Sequence, residues 1–248
     1  MLDVRSEGPV TYVTLNRPEV RNAFNDELIA ALTDAFHKID PATRAVVLAG
    51  AGKGFCAGGD LEWMRKAAAY DEEENYQDAL KLTVLFRAVA ECPAVTIAKI
   101  HGAAFGGGCG LVASTDIALA SEDALFAFSE VRLGLIPGTI SAYVIPKIGA
   151  GHARALFATG EAFGAEKALR IGLVHEVGNL DELLEAKLKA ILAAAPKAIY
   201  EAKKLALEAP LSPEECARRL AKARAGEEGK EGVGAFLERR KASFYIER

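Results

Sequence analysis

Ala94-Val-Thr-Ile-Ala-Lys-Ile-His-Gly-Ala-Ala-Phe-Gly-Gly-Gly-Cys-Gly-Leu-Val-Ala-Ser114, followed at once by Ile117-Ala-Leu-Ala120, is the stretch on which the fold turns. Ala94 to Ile100 is an apolar, β-branched run that ends in the turn residues His101-Gly102, so it reads as a strand. The glycines at 106 to 108 then open into a small, apolar segment that reads as a buried helix, and Ile117 to Ala120 is another apolar strand. Strand, glycine turn, helix and strand in this order argue for an α/β layered fold with largely parallel sheets.

Working outward, the same order recurs. Upstream, Pro9 to Leu15 is an alternating strand stopped by Asn16-Arg17-Pro18. Asn25 precedes a helical pattern of Leu28, Ile29, Leu32, Phe36 and Ile39, with Asp26 and Glu27 in its first turn, where the helix dipole favours acids. Ala45 to Ala49 is a continuous apolar strand, and it runs into a second glycine-rich loop, Gly50-Ala-Gly-Lys-Gly-Phe-Cys-Ala-Gly-Gly-Asp60. Helices are expected over 60–69 and 72–90. Downstream, residues 124–135 read as a strand and turn, and Pro137-Gly138 opens a further helix. From about Asp181 amphipathic helices take over, broken at Pro196, Pro210 and Pro213. The expected division is a core over 1–190 and a helical region over 191–248.

A chain of 248 residues with 51% apolar and 26% charged residues can bury a sizeable core without disulfides or a structural metal. The formal charge of -4 gives no basic stripe for nucleic acid and no attraction to an anionic membrane. Cys56, Cys92, Cys109 and Cys216 are scattered, with no CxxC pair and no histidine at ligand spacing, which argues against a zinc site. The amino terminus lacks a signal-peptide pattern and no apolar run approaches the ~20 residues of a membrane span. A cytoplasmic protein with reduced thiols is expected.

Common motifs fail on spacing. Lys53 is followed by Gly54 rather than by the serine or threonine of a P-loop, residues 106–110 give GxGxG instead of GxGxxG, and no GxSxG elbow is present. What remains is a pair of glycine turns, each after a strand and before a helix, and Glu130 in apolar surroundings. Backbone amides at such turns converge on an anion, because glycine permits close approach and a helix N-terminus favours negative charge. The pattern suits a transient oxyanion such as a thioester enolate. Two fates are open for Glu130: desolvation would raise its pKa and make it a base near neutrality, whereas pairing with Arg132 or Arg154 would lower it. Asp60 reads as a helix cap and His101 as a structural residue at a strand end.

Phe55-Cys-Ala-Gly-Gly-Asp-Leu61, His101-Gly-Ala-Ala-Phe-Gly-Gly-Gly-Cys-Gly110 and Phe128-Ser-Glu-Val-Arg-Leu-Gly-Leu-Ile-Pro-Gly138 resemble the crotonase (enoyl-CoA hydratase/isomerase) superfamily in order and spacing. Asn16-Arg-Pro, Arg21-Asn-Ala23 and the ending Phe236 to Phe244 fit as well, so the resemblance spans essentially the whole chain. It implies a crotonase-type spiral of ββα units with a carboxy-terminal helical trimerisation region, forming homo-trimers that usually pair into hexamers. It also implies an acyl-CoA thioester as partner, with coenzyme A carried as part of the substrate and no separate cofactor. By the same resemblance Gly59 and Gly107 are the oxyanion donors and Glu130 the proton-transfer residue. Arg21 and Ala23 would lie near the coenzyme A phosphates and adenine, Ala57 would contact it by its carbonyl, and Leu61 would lie beside the pantetheine. Phe236 and Arg239 would close over the adenine end.

One departure stands out. Hydratases of this family usually carry a second glutamate, and its position here is Gly110. A single carboxylate suffices for Δ3-Δ2 enoyl-CoA isomerisation, since it shuttles one proton between C4 and C2. The text around Gly110 is instead similar to bacterial methylglutaconyl-CoA hydratases of leucine breakdown, which favours hydration. A glycine at 110 is expected to leave room for a branched or carboxylated acyl chain. The reading from another class is a non-catalytic acyl-CoA or RNA binding protein, against which Glu130, both glycine turns and the acidic balance speak.

Overall fold

The computed structural model describes residues 1–248. Its main sheet has six strands, β1 (Leu2–Glu7), β2 (Val10–Leu15), β3 (Ala45–Gly50), β4 (Val95–Ile100), β6 (Ile117–Ala120) and β9 (Glu176–Val177), adjacent in that order. A second sheet holds β5 (Ala103–Phe105), β7 (Leu125–Ala127) and β8 (Ala162–Gly164), in the order β5-β7-β8. Every pair in the main sheet is parallel except β1 with β2, a hairpin turning at Gly8, where φ is +56°. Sequence patterning finds β3, β4 and β6 because both faces of them are buried, which makes each a largely apolar run; it finds β2 by its alternation and misses β9, which is two residues long. It does not find β5, β7 or β8 as a sheet, since three residues are too few to carry a period.

Alternation along β3 divides two layers of core. Val46 and Leu48 face one side, where they join Leu28, Ile29 and Leu32 of α1 (Asp26–His37). That layer also takes residues from α3 (Glu72–Ala90), α4 (Gly107–Ser114) and α5 (Gly138–Thr159). Ala45 and Val47 face the other side and meet Leu184, Leu188 and Ile191 of α7 (Leu180–Ala193). Five phenylalanines, at 24, 55, 86, 126 and 128, are fully buried, each contributing about 1.5–3 kcal/mol of apolar burial. Between these helices lie α2 (Leu61–Ala67) and α6 (Ala165–Arg170), both short.

The expected boundary at 190/191 falls inside α7, whose apolar face covers the sheet. The outlying helices are α8 (Pro196–Leu207), α9 (Pro213–Ala225) and α10 (Glu227–Leu237). Two buried cations tie this region to the sheet. Lys203 of α8 donates to Asp116 Oδ2 at 2.8 Å and to the Cys92 carbonyl at 2.8 Å. Arg44 donates to the carbonyls of Ala194 and Phe244. No helix is long and apolar enough to cross a membrane.

Candidate active site

The two glycine turns meet because the chain between Phe55 and Gly59 runs beside β5. Phe55 N–H donates to His101 O, Cys56 N–H to Ala103 O and Phe105 N–H to Cys56 O, all at 2.9 Å. The approach is too close for side chains. A Cβ on Gly108 would lie 2.5 Å from Cys56 O, and one on Gly58, where φ is +92°, would lie 3.1 Å from Phe105 O. On the other side Phe24 clasps the first turn, accepting from Asp60 N–H at 2.8 Å and donating to Gly58 O at 2.7 Å. The Phe24 ring lies against Gly107, where a Cβ would be 2.8 Å from its Cε2.

This arrangement leaves two amides free. Gly59 N–H has no acceptor in the protein, and Gly107, the first residue of α4, directs its N–H out of the helix with none either. Both places are tight for a side chain: a Cβ on Gly59 would press on Trp63 at 3.3 Å and on Met64 at 3.2 Å. The α4 N-terminus adds the positive end of its dipole. Gly106, just before it, has φ +50° and donates to Ala127 O at 2.9 Å, which fixes the direction in which α4 starts.

Glu130 opens a 3-10 turn, Glu130–Leu133, that ends at Gly134 in the left-handed region. The preceding Phe128 anchors that turn, packing edge-on against Phe157 with ring centroids 5.1 Å apart. The carboxyl lies over Gly106, with Oε1 3.3 Å from where a Cβ would be, one residue from the Gly107 amide. Oε2 is buried without a hydrogen-bond partner. Neither Arg132 nor Arg154 forms an ion pair with it. Desolvation therefore raises its pKa above the ordinary glutamate value, with its own backbone N–H pulling weakly the other way. A half-buried carboxyl with a raised pKa, beside two unused amide donors, can move protons while those donors hold an oxyanion.

The family model for enoyl-CoA hydratase/isomerase matches residues 5–246. The chain belongs to the enoyl-CoA hydratase/isomerase family. A crotonyl-CoA hydratase of Syntrophomonas wolfei is 33% identical over 269 residues, covering 97% of this chain and 96% of the relative. Among solved structures, an enoyl-CoA hydratase from Shewanella pealeana is 37% identical with a TM-score of 0.94, covering 98% of this chain and 95% of that one. An enoyl-CoA hydratase/isomerase from Marinobacter aquaeolei is 34% identical with a TM-score of 0.92, covering 98% of both chains. The crotonase-type fold expected from the motifs is present across the whole chain.

Gly110 does not open the acyl space expected of it. No room is left beside it: a Cβ there would lie 2.5 Å from Ile140 Cγ2 and 2.6 Å from Phe86 Cζ. Both residues are fully buried, so the space expected for a branched acyl group is packed with protein. The reason is complementary volume, since two apolar side chains have moved in where the glycine has none.

The expected coenzyme A contacts divide into two sets. Arg21, in the left-handed region at φ 54°, accepts at its carbonyl from Ala57 N–H at 3.0 Å, so Arg21, Ala23 and Ala57 border the first glycine turn. The Ala57 carbonyl has no donor in the protein. Leu61 begins α2 with 79% of its surface exposed. Phe236 and Arg239 are not brought to the turns: α10 packs on α8 and α9, and Phe236 is 81% exposed. Asp60 caps α2, accepting from Glu62 N–H at 2.9 Å, and pairs with Arg17 at 3.0 Å. His101 bonds the Gly52 carbonyl at 2.9 Å, as a structural residue would.

Sequence reading missed Asn22. Buried and at φ 58°, it donates from Nδ2 to Ala51 O at 2.8 Å and to Gly54 O at 2.9 Å, and accepts from Arg17 N–H at 2.9 Å. It stitches the 16–25 turn to the glycine loop. Its signal in the sequence is its place in Arg21-Asn-Ala23, a block matched to the family as a string without a role for the asparagine.

Proposed function

We propose that this protein is an enoyl-CoA hydratase, adding water across the 2,3 double bond of an enoyl-CoA thioester. Glu130 takes a proton from water as the oxygen attacks C3. The charge moves to the thioester oxygen, where the Gly59 and Gly107 amides receive it, and the enolate collapses as the Glu130 carboxyl returns a proton to C2. The observation that carries this reading is the half-buried Glu130 carboxyl, its Oε2 without a hydrogen-bond partner, lying beside Gly106 and next to one of two amide donors that nothing in the protein uses. Arg21, Ala23, Ala57 and Leu61 border the path of coenzyme A in this reading. Phe236 and Arg239 would reach it from the helical region on assembly into trimers or hexamers, and the exposed Phe236 and Leu237 suit burial there.

A second reading, Δ3-Δ2 enoyl-CoA isomerisation, is favoured by the packing of Phe86 and Ile140 against Gly110, which leaves Glu130 as the single carboxylate. One experiment separates the two. Purified protein is mixed with crotonyl-CoA, with 3-methylglutaconyl-CoA or with a 3-enoyl-CoA, and the conjugated enoyl-thioester absorbance is followed against a Glu130→Gln control. Glu130-dependent loss of absorbance from either 2-enoyl substrate supports the hydratase, and the faster of the two names its acyl class. No loss, with absorbance appearing from the 3-enoyl-CoA, would make it an isomerase.

A further inference from the structure

Lys147 is a half-buried cation of α5, and it does not pair with a carboxylate. Its ammonium donates to the Thr115 carbonyl at 2.7 Å and the Val112 carbonyl at 3.3 Å, at the C-terminal end of α4. The Val112 carbonyl also accepts from Thr115 Oγ1 at 2.9 Å, so the carbonyl that depends on Lys147 is that of Thr115, the residue capping α4, where a cation complements the negative end of the dipole. The neighbouring charges are accounted for: Asp116 is bonded to Lys203, and the His175 ring accepts from Ala118 N–H. Burial lowers the Lys147 pKa to about 8, against a smaller raising effect of Asp116.

The helix it holds needs holding. Four of the residues from 106 to 110 are glycine, so α4 starts on the least helix-prone residue other than proline, and α4 is only eight residues long. Its first amide is Gly107. The helix that reaches over it, α5, is broken at Gly149, where φ is 75° and ψ is 153°, so its first segment ends just past Lys147. That segment begins near the Glu130 turn, whose Glu130 carbonyl accepts from Leu135 N–H at 3.1 Å, and carries Ile140 against Gly110 midway. The Glu130 turn, Ile140 and Lys147 thus follow one another along one stretch of chain, and α4 meets that stretch at Ile140 and at Lys147.

We propose that Lys147 is a positioning residue for the reaction, clamping the C-terminal end of α4 so that the Gly107 amide keeps its place relative to Glu130. This rests on Gly107 being an oxyanion donor, as in the function proposed above. The test uses the full chain as wild type, Lys147→Met, Lys147→Arg and Lys147→Gln. Acetoacetyl-CoA serves as the probe, because its enolate absorbs distinctly and reports the oxyanion site whether the enzyme is a hydratase or an isomerase. The bound enolate fraction and the dissociation constant are measured at one pH, beside kcat and KM for crotonyl-CoA.

The Met variant is expected to lose about tenfold in kcat with KM changed less than about twofold, since small displacements of a positioned group act on the transition state. Its bound enolate fraction should fall, and Arg should recover most of both. A folded Met variant with wild-type kcat and enolate fraction would overturn the proposal, as would an Arg variant no better than Met. If the Met variant does not fold, Arg and Gln decide: a larger loss for Gln at steady KM supports the clamp, and equal values overturn it. A wild type that binds acetoacetyl-CoA as enolate yet leaves crotonyl-CoA unchanged would refute the hydratase reading alone, and the enolate fractions would still test Lys147.

Discussion

Glu130 fills the space where Gly106 lacks a side chain: the carboxyl Oε1 lies 3.3 Å from the place a Cβ would take on that glycine. Gly106 also holds φ +50°, which a residue with a side chain adopts only under strain. Gly106→Ala therefore strains the backbone and pushes the carboxyl from its seat at once. Stability should fall by about 1–2 kcal/mol in urea unfolding, and kcat should fall about tenfold or more. Wild-type kcat in the folded variant would show that the contact does not set the position of Glu130.

Glu130→Gln keeps the shape of the side chain and removes its basicity. Turnover should drop by at least about 100-fold, the usual worth of a general base, while acyl-CoA affinity stays within a few-fold. The same variant reports the raised pKa. A carboxyl with a folded-state pKa above its unfolded value favours folding when protonated, so that contribution is present at low pH and is lost as pH rises through the raised value. Relative to wild type, Gln should thus gain stability between acidic and neutral pH. Denaturant midpoints for the two proteins that run parallel across that range would contradict it.

Gly107→Pro removes one amide donor at a helix position that tolerates proline. A loss of about 100 to 1000-fold in kcat is expected from a missing oxyanion donor. Because Phe24 lies 2.8 Å from where the new Cβ would be, circular dichroism must first show the variant folded. Full activity in a folded variant would remove Gly107 from the oxyanion assignment.

Gly110→Glu does not recreate a second carboxylate. The new side chain would enter space already held by Phe86 and Ile140, and overpacking of that kind costs about 1–3 kcal/mol or more. Thermal unfolding should move down with no gain in hydration rate. A rate increase on crotonyl-CoA would show instead that the two apolar side chains yield easily.

Asn22 allows strain and hydrogen bonding to be separated. Asn22→Gly keeps the backbone conformation and loses the side-chain bonds to Ala51, Gly54 and Arg17, at about 1 kcal/mol each. Asn22→Ala adds the left-handed strain and should be the less stable of the two in denaturant unfolding. Equal stabilities would mean that φ 58° carries no penalty here.

The sequence by itself determined what depends on near neighbours. Continuous apolar runs such as Ala45 to Ala49 specify strands buried on both faces, Asp60 caps the helix that follows it, and the glycines before α4 mark a helix start with free amides. Glu130 was legible because a lone carboxylate in apolar text is costly to ionise. The tertiary structure alone decided what depends on residues far apart in the chain. Cys56 against Gly108, Phe86 and Ile140 against Gly110, and Asn22 across to Gly54 are contacts between separate segments. So is the grip of Lys147 on Thr115, which no spacing announces. The physical reason is that periodicity and capping are rules of one helix turn or one strand pleat, whereas filling a volume or meeting an orphaned carbonyl requires knowing which distant surfaces face each other.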